Sequence, residues 1–92
     1  MSKKIDFRKI LAKNVNDEVV PFDISKDLGN LLYMRGMHIE EIELGHDIYH
    51  HGEVDLDENR EEIVKRFMVN YPLFLRNAVE GTLANGNDGE QR

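Results

Sequence analysis

The chain has 92 residues, 40% of them apolar and 33% charged, with no cysteine and a formal net charge of −6. That length fits one short domain, and the composition excludes both a disordered chain and a membrane-embedded one. Disulfides and thiolate metal sites are excluded, no apolar run nears the roughly 18 residues needed to span a bilayer, and Asp6 and Arg8 break any signal-peptide core, so the expected location is the cytoplasm.

Charge is unevenly placed. Residues 1–14 carry five bases against Asp6, whereas residues 38–62 carry ten acids against Arg60 alone. The acidic stretch repels phosphate backbones, which leaves only the N-terminal strand for nucleic acid. A solvated acidic face attracted to the basic end, within one molecule or between two, is the simpler reading.

In chain order, Ile5 and Phe7 alternate with Asp6 and Arg8, the pattern of a strand. Asn14-Val15-Asn16-Asp17 is turn chemistry, because Asn and Asp bond to nearby backbone and tolerate left-handed geometry. Val20, Phe22 and Ile24 alternate again, with Pro21 requiring a free edge. These segments predict one antiparallel hairpin whose apolar face needs covering by helices.

Ser25 stands where a helix cap is expected, and Leu28, Leu31, Leu32 and Arg35 share one face of a helix over about 25–35. Gly36 is expected to end it in left-handed geometry. Gly29, unfavourable by about 1 kcal/mol in a helix interior, marks a close backbone contact. A second helix is expected over 38–50, ending at Gly52. Ile39, Ile42 and Tyr49 form one apolar face, Met37, Leu44 and Ile48 another, and Glu40, Glu43 and Asp47 an acidic third. Two apolar faces want two packing partners. Ile39, Ile42, Leu44, Ile48 and Tyr49 are therefore the candidate interaction residues, with a homodimer or another protein as partner.

Asp55 is expected to cap a third helix, with Glu58 reaching back and acids ahead of Lys65 and Arg66 along the helix dipole. Ile63, Val64, Phe67, Met68 and Tyr71 form its buried stripe. Pro72 opens a fourth helix over about 72–84, with Leu75, Ala78, Val79 and Leu83 facing inward. The expected organisation is a single α+β domain over 1–84, an N-terminal two-stranded antiparallel hairpin followed by three to four short helices, with a disordered tail over 85–92.

The chemical candidates are few. His46 and His50 are four apart on one helix, so both reach a single ion. The zincin pattern needs Glu after the first His, and Asp47 stands there instead. The competing reading is a His pair at a helix C-terminus, where positive charge is favoured. The His46-Asp47 doublet also resembles the core of HD-domain phosphohydrolases, whose further ligands on other helices are missing. Asp55-x-Asp57-x-Asn59-x-Glu61 starts like a calcium loop, but Arg60 replaces its Gly and Arg66 its bidentate Glu. No phosphate loop, nucleophile elbow or Cys–His pair is present. Phe7 among Lys4, Arg8 and Lys9 is the one aromatic–basic cluster, and a core strand residue with charged neighbours on the outer face is the favoured explanation.

Phe22-Asp23-Ile24-Ser25-Lys26-Asp27-Leu28-Gly29-Asn30 and Ile48-Tyr49-His50-His51-Gly52-Glu53-Val54-Asp55 resemble short proteins encoded in bacterial prophages and mobile elements. Those proteins begin with a strand like residues 4–10. The resemblance spans most of 4–80. It implies a bacterial or phage context and an assembly, adaptor or regulatory role, with no activity to transfer. The sequence thus reads as a non-enzymatic, self-associating interaction protein without cofactor. A nucleic-acid regulator using the basic strand and a His-based metal protein are the alternatives.

Overall fold

The computed structural model describes residues 3–86. Its strands are β1 (Lys3–Asp6), β2 (Ile10–Lys13), β3 (Val19–Phe22) and β4 (Glu53–Leu56), and its α-helices are α1 (Ser25–Arg35), α2 (Ile39–His51), α3 (Glu58–Phe67) and α4 (Leu73–Asn85). A 3-10 turn, Met68–Asn70, links α3 to α4. The fold is α+β, as expected, but its strands form two antiparallel pairs instead of one hairpin.

The true hairpin joins β2 to β3, with Ile10 opposite Phe22 and Lys13 opposite Val19. Its turn is where the Asn/Asp run places it. Asn14 Oδ1 accepts from the backbone N–H of Asn16 and Glu18, and Asp17 takes φ 65°. The first strand does not join this hairpin. β1 pairs with β4, Ile5 opposite Val54 and Lys4 opposite Asp55. Phe7 sits between the two sheets, its N–H donating to the Gly52 carbonyl and its carbonyl accepting from Ile24.

That pairing moves the start of α3. Residues 53–56 are strand, so Asp55 is not a helix cap. Asp57 caps instead, its carboxylate accepting from the Arg60 N–H at 2.8 Å. Two further boundary signals act differently from expectation. Ser25 is the first residue of α1 and donates its hydroxyl to Asp23, 2.7 Å away. Gly36 has φ −65° and is not left-handed; it is small because a Cβ there would press on the Leu32 carbonyl and on Glu41. At the far end, Pro72 precedes α4 and the helix runs one residue past 84, to Asn85. The tail expected to be disordered over 85–92 is therefore helical at Asn85, and its part over 87–92 lies outside the described residues.

Every element contributes to one core. Ile5 comes from β1, Phe7 from the turn after it, Ile10 from β2, Leu28 and Leu32 from α1, Leu44 and Ile48 from α2, Val54 and Leu56 from β4, Ile63 and Val64 from α3, and Val79 and Leu83 from α4, with the half-buried Phe22 of β3 packed against them. Burial of these side chains is the main stabilising term. The buried polar groups Asp6, Ser25, Glu41 and Thr82 are all bonded, and among the described residues no buried side-chain donor or acceptor lacks a partner. No helix among them is long and apolar enough to cross a membrane.

Candidate functional site

The site is a groove on the outer side of the α1–α2 pair, created by two glycines. A Cβ on Gly29 would lie 2.7 Å from the Tyr49 backbone nitrogen, and one on Gly45 would lie 2.7 Å from the Gly29 carbonyl oxygen. Only hydrogens fit at this crossing, so the backbones approach closely. The Gly29 contact inferred from sequence is therefore present. Around it, Asn30, Tyr33, His46, Tyr49 and His50 line a groove of about 240 Å³.

His46 and His50, one turn apart on α2, have ring centroids 4.4 Å apart, tilted by 46°. Tyr49 packs edge-on against His50 at 5.2 Å. Lys26 sets its ammonium 4.3 Å over the Tyr49 ring and donates to the Tyr49 carbonyl, a cation–π contact that fixes this wall. Asp47 turns away to Arg60, 3.4 Å off. Among the described residues no group of three or more His, Cys, Asp or Glu side chains could hold an ion.

The calcium-like residues are not gathered. Asp55 lies in β4 opposite Lys4, Asp57 caps α3, and Glu61 on α3 faces both Lys3 and Lys65.

The interaction residues divide. Leu44 and Ile48 are fully buried and belong to the core, because Gly45 brings that side of α2 against α1. This corrects their reading as contact residues. Ile42 is half-buried, and Ile39 (62% exposed) and Tyr49 (39%) remain accessible. Sequence reasoning missed Tyr33 and Met34, and it placed Met37 with the buried face. All three are exposed, Met37 at 85%. Their signal was the wide spread of apolar residues at the end of α1, more than one helix face can bury.

The opposite charges of the two halves meet inside one molecule where Lys3 reaches Glu61 at 3.5 Å. Within the N-terminal segment itself, Arg8 makes a forked pair with Asp6 at 2.9 and 3.0 Å. The Arg8 guanidinium holds the Asp6 carboxyl below its usual range. Phe7 is wholly buried, so it offers no stacking surface to a base.

Glu41 is the buried charge of α2. It accepts from the Met37 N–H at 2.7 Å and from the Arg66 guanidinium at 3.1 Å. Those backbone and guanidinium donors push its pKa down despite burial. Comparison with protein-family models, curated proteins and solved structures gives no match, so the geometry alone carries the functional reading.

Proposed function

We propose that this chain is a non-catalytic, cytoplasmic interaction protein that self-associates through the outer face of the α1–α2 pair. The observation that carries this reading is the exposed apolar set of Tyr33 and Met34 on α1, Met37 in the connection, and Ile39 and Tyr49 on α2. Large apolar side chains gathered on a small domain mark a contact surface. A second copy suits the surface because its charges are self-complementary. Lys26 and Arg35 lie on α1, and Glu40 and Glu43 on α2, so a two-fold axis setting α1 against α2 opposes unlike charges. The resemblance to short prophage proteins favours the same assembly role. The basic strand is a weaker basis for function, since Lys3 and Arg8 are engaged by Glu61 and Asp6.

Sedimentation of the full chain over a range of concentrations tests the proposal. The expected result is a dimer that Met37→Lys weakens at least tenfold without loss of helical signal. Each copy carries −6, so added salt screens the net repulsion as well as the local charge pairs, and the dimer survives it because apolar burial supplies the contact. Nucleic-acid binding would instead weaken with salt. A monomer at every concentration and salt level overturns the reading.

A further inference from the structure

We propose that His46 and His50 form half of a divalent transition-metal site, and that a second copy supplies the other half, so that an ion such as Zn²⁺ links two chains across the α1–α2 groove. The inference rests on self-association through this face.

Two histidines one turn apart reach one ion from the same side of a helix. Zinc–nitrogen bonds of about 2.0–2.1 Å place two tetrahedral nitrogens about 3.3 Å apart. The two rings, with centroids 4.4 Å apart and tilted by 46°, lie close enough together for one ion to take a nitrogen from each. Both rings are exposed on the groove wall, and among the described residues they touch only each other and Tyr49 as ring partners. Among the described residues neither ring carries a hydrogen bond or ion pair that would have to break for the ion to enter. Imidazole selects zinc, copper or nickel over calcium or magnesium.

The described residues of one chain do not finish the site. Asp47, next to His46, is held by Arg60, and no third ligand joins the pair among the described residues. Structural zinc takes four ligands. A two-fold axis through the groove brings a second His46/His50 pair to the same ion and closes the coordination shell. The dication also offsets part of the −6 that each chain carries, lowering the repulsion that opposes dimerisation.

Untagged full chain, freed of metal with a chelator, is titrated with Zn²⁺ by calorimetry and followed by sedimentation. One Zn²⁺ per two chains is expected, with dimerisation at least tenfold tighter. His46→Gln and His50→Gln, both at exposed positions, should each abolish the response. His38→Gln and His51→Gln should leave it unchanged. No binding, one Zn²⁺ per chain without a mass change, or equal loss in the His38 and His51 variants overturns the inference. A dimer that persists in chelator and ignores zinc overturns the metal bridge alone and leaves self-association standing. A monomer with and without zinc overturns both.

Discussion

α2 and α4 have the same length, 13 residues, and each carries a glycine in its interior. They use it in opposite ways. In α2, Gly45 lies against the backbone of α1, Glu41 is buried among donors, and Leu44 and Ile48 fill the core. In α4, no atom of the described residues outside that helix's own backbone lies within 4 Å of where a Cβ on Gly81 would stand. That helix lays Val79, Thr82 and Leu83 on the core and leaves Leu73 and Phe74 exposed. The difference teaches that a helical glycine has no fixed meaning. One sets the distance between two helices and opens the groove above them, whereas the other is an unfilled position on a solvated face.

Gly45→Val breaks the comparison most severely. The added carbons overlap the Gly29 carbonyl and the Tyr33 amide nitrogen, both backbone atoms, so α1 must lift away. Overpacking of this kind costs about 3 kcal/mol, and Val returns little helix propensity against Gly. Urea denaturation should show a midpoint lowered accordingly, and an unchanged midpoint would mean that the crossing is not tight. Because the groove walls stand on both helices, the same variant should also lose the concentration dependence of sedimentation.

Glu41→Gln tests the other anchor of α2 and has a smaller effect. The amide oxygen still accepts one N–H, but the charge-assisted bond from Arg66 weakens. Roughly 1–2 kcal/mol should be lost. The pH dependence carries the sign of a depressed carboxylate. Glu41 lies below its ordinary 4.5 in the folded chain, so its contribution is complete above about 4.5 and disappears as pH falls through the lowered value. The variant should therefore show a shallower loss of stability below pH 4.5 by circular dichroism. Asp6 and Asp23, also depressed, by Arg8 and by Ser25, keep some acid sensitivity. An identical acid profile in variant and parent would show that the Glu41 carboxylate does not couple folding to pH.

What the sequence reveals about these elements depends on range. The Asn14–Asp17 turn is legible because its bonds run between residues two to four apart. The partner of β1 is not, because β4 lies some 50 residues away and shares the same apolar–polar alternation. A local clue to the break between β1 and β2 was present. Ile5 and Phe7 occupy odd positions and Ile10 and Ala12 even ones, and that change of phase coincides with a turn closed by the Lys9 N–H on the Asp6 carbonyl. For the site, spacing alone places His46 and His50 together. Spacing cannot decide which apolar face of α2 is buried, since both satisfy a helical period. Gly45, on the same side as Leu44 and Ile48, decides it through close approach.

Gly81→Ala sharpens the contrast with the smallest change, and with opposite sign. The position is exposed and lies inside α4, and no described residue outside the helix's own backbone comes near the site of the new methyl. None of the described residues opposes the substitution. Alanine restricts the unfolded chain more than glycine does, so the variant should gain about 0.5–1 kcal/mol. Urea midpoints of Gly81→Ala and the parent measure it directly. A loss of stability would mean that Gly81 meets a neighbour or bends the helix, and the two glycines would then be alike. A gain here beside a loss at Gly45 would show that the α1–α2 crossing, not helix propensity, keeps glycine in α2.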